Sequence, residues 1–302
     1  MGLWRVAAIQ EPVVYLDGQF VPQSKAALSV FDHGLLYGDG VFEGIRSYGG
    51  CVFKLDGHIE RLYASAHSLM LEIPLSRREM KAAVIETLKR NSLKDAYIRL
   101  VVTRGVGDMG LDPRKCPKPT VFIIAGGITL CSKAALEKGL RVMITWVRRD
   151  PVDGTSHEIK SLNYLNSILA KLEANTYGVD EAIFLTPQGF ICEGTAENIF
   201  VVKGKEVSTP PASTGALPGI TKAAVMEAAR KMGYGAVERL ITPHEVFNAD
   251  EVFFTGTAAE IMPVTEANGR KIGDGKPGSV TAKVEAFFQK YVMDPANGEK
   301  YA

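Results

Sequence analysis

Apolar positions along the chain recur with two periods, and the switches between them mark out the elements. Residues 13–21, VVYLDGQFV, alternate about an Asp-Gly dipeptide and predict a first hairpin. The same period of two runs through residues 41–48, with Phe42, Gly44 and Arg46 on one face and Glu43, Ile45 and Ser47 on the other. It returns in residues 96–103, AYIRLVVT, where Tyr97 and Arg99 share a face, and in a strand over 119–124. Between these strands the period lengthens to that of a helix. Residues 55–71 turn Ile59, Leu62, Tyr63, Ala66, Leu69 and Met70 inward, and residues 77–91 predict a second helix.

A second group of elements follows. LRVMITWVRR, from residue 140, reads as a strand, and residues 162–177 as a helix carrying Leu165, Ile168, Leu169 and Leu172 on one side. Two apolar runs, 182–185 and 199–202, flank a Thr-Pro-Gln-Gly turn and read as a hairpin, with Glu193 between them. A short strand closes at Thr209, and Leu217-Pro-Gly-Ile-Thr221 opens a helix with Pro218 just ahead of it. Residues 251–260, EVFFTGTAAE, are a strand ending in a turn. The polar tail, 294–302, is expected to fray. The fold class expected is α/β (α+β), in two domains: a small one over 1–125, a linker over 126–139 and a larger one over 140–302.

Composition narrows the function classes. An apolar share of 46% is enough for two cores, yet no run approaches the roughly eighteen residues of a membrane helix. With 35 basic and 34 acidic residues there is no electrostatic reason to expect nucleic acid or an anionic membrane as partner. The start, MGLWRVAAIQEP, lacks a small-residue cleavage pattern, and Cys51, Cys116, Cys131 and Cys192 form no CxxC pair. A cytoplasmic protein with reduced thiols is expected. The five histidines show no i,i+4 pairing, so no metal site is expected.

Candidate chemistry gathers in the second half. Glu193 lies ahead of the helix opened by 217–221, whose free N–H groups at Gly219, Ile220 and Thr221 can accept a phosphate, while a buried carboxylate can hold a proton on a ring nitrogen. Lys160 immediately precedes a helix, with Tyr164 four residues on. Gly256-Thr257-Ala258 is a turn that presents N–H groups and a hydroxyl to an anion. Arg61, on the helix over 55–71, reads from spacing alone as a solvated surface charge. Arg99, inside an apolar strand, is costly to bury unless a substrate carboxylate or a structural salt bridge answers it.

Glu193, Thr195, Asn198, Phe200, Thr209, Leu217, Gly219, Ile220 and Lys222 together carry a signature over about thirty residues. On it, the chain resembles the class-IV aminotransferases, the pyridoxal-phosphate enzymes of fold type IV. The resemblance implies two domains with pyridoxal 5′-phosphate between them. It makes Lys160 the Schiff-base lysine and Tyr164 the donor to the ring oxygen. Glu193 would keep the ring nitrogen protonated, and Arg61, Gly219, Ile220, Thr221 and Thr257 would grip the phosphate. YGDGVFEGIR (37–46), Tyr97-Ile-Arg99 and GTAAE (256–260) are similar to the branched-chain amino-acid aminotransferases, which act on leucine, isoleucine and valine with 2-oxoglutarate. Tyr37, Phe42 and Tyr164 would then be apolar walls beside Gly44, Arg99 with Tyr97 would receive a carboxylate, and Thr257 and Ala258 would take the substrate α-carboxylate. The glycine-rich loop 105–113 would serve a neighbouring subunit, which implies at least a homodimer. One departure stands out: residues 125–135, AGGITLCSKAA, contain no aromatic residue where relatives commonly place Trp or Tyr. D-amino-acid aminotransferase, (R)-amine aminotransferase and aminodeoxychorismate lyase activities remain open on the same framework.

Overall fold

The computed structural model describes residues 11–127 and 137–302. Most of the expected linker, and Cys131 with it, lies outside the described residues. Two sheets organise the chain. The first is made of β1 (Val13–Leu16), β2 (Gln19–Pro22), β3 (Gly40–Tyr48), β4 (Cys51–Phe53), β5 (Ala96–Thr103), β6 (Thr120–Gly126) and β15 (Gly298–Lys300), in the order β15-β4-β3-β5-β6-β1-β2. Every pairing in it is antiparallel. Asp17 and Gly18, at φ of 47° and 89°, make the tight turn of the first hairpin. Helices α2 (Leu55–Ser68) and α3 (Arg77–Arg90) pack Leu55, Ile59, Leu62, Val84 and Leu88 onto Ile45, Ile98, Leu100 and Val102. Ser76 and Glu79 form a reciprocal capping box at the start of α3. The short α1 (His33–Tyr37) precedes β3.

The second sheet is mixed, which makes the fold α+β. It runs β11 (Gly235–Glu238), β10 (Glu206–Thr209), β9 (Asn198–Lys203), β12 (Glu251–Gly256), β13 (Glu260–Ala267), β7 (Leu140–Arg148) and β8 (Glu181–Leu185), with β14 (Arg270–Lys271) beside β13. Helices α4 (Leu165–Thr176), α5 (Ile220–Lys231), α6 (Pro243–Phe247) and α7 (Ser279–Met293) accompany it. Phe200 and Phe253 stack at 5.1 Å in a core shared with Val225, Val284 and Phe288.

Three sequence expectations need correction, and the side taken by the α4 stripe is settled. Residues 182–185 and 199–202 are not a hairpin, because β8 and β9 lie at separate places in the sheet. Gly189, at φ of 90°, closes a turn so tight that β8 pairs back on residues 191–193 instead. The tail does not fray: β15 adds to the free edge of β4, and the Tyr301 hydroxyl donates to the Leu93 carbonyl. Gly298 is needed there, since a Cβ would collide with the Val52 carbonyl oxygen. Met70 is exposed rather than inward, because it stands past the end of α2 at φ of 50°. On α4, Ser167, Ala170 and Ala174 are buried, so the stripe of Leu165, Ile168, Leu169 and Leu172 is turned outward.

Candidate active site

The segment carrying Lys160 is stitched onto the first sheet. Phe42 N–H donates to the Lys160 carbonyl and Leu162 N–H to the Gly40 carbonyl, while Lys160 N–H donates to Ser65 Oγ on α2. This fixes the backbone on both sides of the lysine. Its Nζ then lies 3.1 Å from the hydroxyl of Tyr164, the residue that precedes α4, and 4.5 Å from the centre of the Phe42 ring. Phe42 and Tyr164 meet edge to face at 5.1 Å. These groups open on a cavity of about 480 Å³, in the range of small-molecule sites.

Arg61, Gly219, Ile220 and Thr221 line one part of that cavity. Arg61 Nε and Nη2 donate to the two oxygens of Glu43, and Nη1 donates to the Pro218 carbonyl. A guanidinium has five N–H groups, so one remains on each Nη. Helix α5 begins after Gly219 without a side-chain cap, which leaves first-turn N–H groups for an anion. Gly219 is obligatory, because a Cβ there would collide with Asn198 Oδ1. Two forked donors beside an uncapped helix start fit a phosphate group.

Glu193 does not itself line the cavity; it stands behind two residues that do. Its Oε2 accepts from Leu217 N–H at 2.9 Å and from Asn198 Nδ2 at 3.3 Å, and its Oε1 from Arg149 Nη2 at 2.7 Å. Arg149 is buried and also donates through Nη1 to His157, Asn166 and Ser167. Sequence reading missed Arg149: its partner is 44 residues away, and nothing at the end of β7 signals it. It missed Glu43 and Glu197 as well. Glu197 lines the cavity, and burial together with the charge of Glu181 pushes its carboxyl well above the usual carboxylate range.

The residues expected on the substrate side line the cavity from β5 and from the turn after β12. Gly44 leaves room for Tyr97, whose hydroxyl oxygen a Cβ at residue 44 would strike. Arg99 donates to that hydroxyl at 3.0 Å, lies over Phe42, and makes no ion pair among the described residues. The structural salt bridge left open for Arg99 is therefore not formed within the described chain. Thr257 and Ala258 line the opposite wall. Arg46, from β3, holds their turn through the Ala258 carbonyl and Glu260. Tyr37 alone of the expected wall residues is not at this cavity: it is part-exposed, and its hydroxyl donates to the Met109 carbonyl. Among the described residues no cluster could hold a metal ion, and no helix is long and apolar enough to cross a membrane.

His157 gives this region a pH signature. Burial first, then the charges of Arg149 and Lys160, push its imidazole down to about 3 from an ordinary 6.5. It is therefore neutral when folded, whereas the unfolded chain takes up a proton below 6.5. Its contribution to stability is complete above that pH and is lost as pH falls toward 3. Unfolding by urea at pH 7 and pH 5 should show H157Q losing less stability between the two than the native protein. Equal losses would contradict this origin.

Relatives agree with the geometry. The family model for class IV amino-transferases matches residues 40–267. A provisionally named branched-chain-amino-acid aminotransferase of Methanocaldococcus jannaschii is 54% identical over 276 residues, covering 91% of this chain and 95% of that one. The branched-chain-amino-acid aminotransferase of Pseudomonas aeruginosa is 39% identical, covering 93% of each. Among solved structures, the T.th. branched-chain amino acid aminotransferase complexed with N-(5′-phosphopyridoxyl)-L-glutamate superposes with a TM-score of 0.89 at 35% identity, covering 97% of each chain. A model match over most of the chain and near-full-length relatives well above a third identical leave one reading: the chain belongs to the class IV aminotransferase family, among the branched-chain-amino-acid aminotransferases.

Proposed function

We propose that the chain is a pyridoxal-phosphate-dependent transaminase. It exchanges the amino group of L-leucine, L-isoleucine or L-valine with 2-oxoglutarate, giving the branched 2-oxo acid and L-glutamate. One observation carries this reading: a lysine amine 3.1 Å from a phenol opens on the same cavity as an arginine fork with two free N–H groups. Those residues fit pyridoxal phosphate. Lys160 would hold it covalently, Tyr164 would donate to its ring oxygen, and Glu193 would face its ring nitrogen. Arg61, Ile220, Thr221 and Thr257 would take the phosphate.

When bound, the cofactor supplies an electron sink for the pair left behind as the α-proton departs. The chain's own groups do the remaining work. Lys160 Nζ would act as the base that takes the proton from the substrate α-carbon. Arg149, Asn198 and Leu217 hold both oxygens of Glu193, which would keep its carboxylate in one orientation toward a ring nitrogen bound in front of it. Thr257 and Ala258 receive the α-carboxylate. Phe42, Tyr164 and Ile168 supply apolar surface for a branched side chain, and Arg99, with donors to spare, answers the second carboxylate of glutamate.

The reading includes a second copy of the chain. Val106, Met109 and Leu111 on the loop over 105–113 are exposed, as are Leu35 and Leu36 on α1 and the outward stripe of α4. Apolar surface of this kind marks an interface. Tyr37, bonded to Met109, belongs with that loop, and in a homodimer both would serve the neighbouring cavity. Sedimentation equilibrium returning a monomer at micromolar concentration would contradict the dimer.

A donor panel tests the activity. With 2-oxoglutarate, glutamate should form from the three branched L-amino acids and not from D-alanine or (R)-1-phenylethylamine. Turnover confined to the latter pair, or pyruvate release without an acceptor, would assign the site to another member of the family. In G44A the displaced Tyr97 should lower kcat/KM for leucine by about 10- to 100-fold, on the scale of overpacking a filled site, with the cofactor's visible absorbance unchanged. An unaltered kcat/KM would remove Gly44 and Tyr97 from the pocket.

A further inference from the structure

Glu43 is a fully buried carboxylate on β3 that the proposed reaction leaves unused. Its position on the face opposite Phe42 and Gly44 directs it away from the reacting groups and toward α2. There its Oε1 accepts from Arg61 Nε at 2.8 Å and its Oε2 from Arg61 Nη2 at 2.9 Å. His58, one turn earlier on α2, lies with Nδ1 2.8 Å from the same Oε2, and its Nε2 has no partner among the described residues. Burial lowers the affinity of His58 for a proton, so the ring is neutral and donates through Nδ1. Burial opposes the charge on Glu43, but Arg61 and His58 outweigh it and hold the carboxyl down at about 2. The carboxylate is thus clamped on both sides before any ligand arrives.

We propose that Glu43 is the positioning residue of the phosphate clamp: it fixes the Arg61 guanidinium so that one N–H on each Nη is left facing the cavity. The proposal rests on the pyridoxal-phosphate reading of the site. Two opposing effects decide its sign. A carboxylate beside Arg61 offsets part of the positive charge that attracts a phosphate, which would weaken binding. It also removes the rotamer freedom of a long side chain and spares the fork from being buried without an acceptor. The bidentate geometry and the third bond, from Nη1 to the Pro218 carbonyl at 2.8 Å, favour orientation over attraction. That third bond also ties the fork to the loop ahead of α5, the other half of the clamp.

The test compares pyridoxal 5′-phosphate with pyridoxal, which lacks the phosphate, on apoprotein of the native chain, E43Q, R61A and E43Q/R61A. Binding is followed by visible absorbance and folding by thermal melting. For E43Q, Kd for pyridoxal 5′-phosphate should rise about 10- to 100-fold, the usual loss for a hydrogen-bonded charge left unpaired, while Kd for pyridoxal changes less than about threefold. The double variant should be no worse than R61A alone. Should E43Q fail to fold, E43D keeps the charge but shortens the reach by one methylene, and its Kd ratio should shift the same way. Unchanged or tighter binding of the phosphate form, or equal weakening of both ligands, overturns the proposal. If the native chain binds neither ligand, the functional reading itself fails and takes this inference with it.

Discussion

Two backbone hydrogen bonds, from Phe42 to Lys160 and from Leu162 to Gly40, lay a segment of the second half of the chain against β3 of the first sheet. Everything at the cavity depends on that contact. It puts the lysine amine over Phe42, places Tyr164 just before the helix that follows, and sets both opposite the loop that opens α5. Strand β3 contributes in both directions. Phe42 and Gly44 face the cavity, while Glu43 and Ile45 face the helices, and a one-residue slip would exchange them.

Around this contact the molecule buries charge in pairs. Arg149 with Glu193 and Arg61 with Glu43 are each held at 2.7–2.8 Å away from solvent. Pairs of this kind contribute little net stability, because removing two charges from water offsets most of their attraction. Their value here is geometric. Each holds a side chain with several rotatable bonds in one orientation, and Arg61, which lines the cavity, keeps one N–H free on each Nη. His157 ties one pair to the lysine neighbourhood, since it accepts from Arg149 and meets the Tyr164 ring edge to face.

Elements with a clear period were legible in the sequence: β5 has the expected bounds, Ala96–Thr103, and α5 opens at the Gly219–Ile220 step. Lys160 and the 217–221 loop were singled out through the signature shared with the class-IV aminotransferases, since a lysine ahead of a helix is by itself most often a surface charge. What could not be read was long-range pairing. Arg149 looks like any arginine at a strand end until Glu193 arrives from another part of the sheet. Glu43 alternates correctly into the interior, but its partner is 18 residues away on a helix. The tail looked free because the open edge of β4 that it covers is invisible in a local pattern. The α4 stripe shows the limit of periodicity: it identifies an apolar face, not whether that face meets the core or another molecule.

On the proposed function, the amine of Lys160 is the point at which the cofactor attaches. Reducing the pyridoxal-phosphate-loaded protein with borohydride and mapping its peptides measures this directly. One pyridoxyl group per chain, on Lys160, is the expected result; a label on any other lysine, or none at all, would contradict the proposed function.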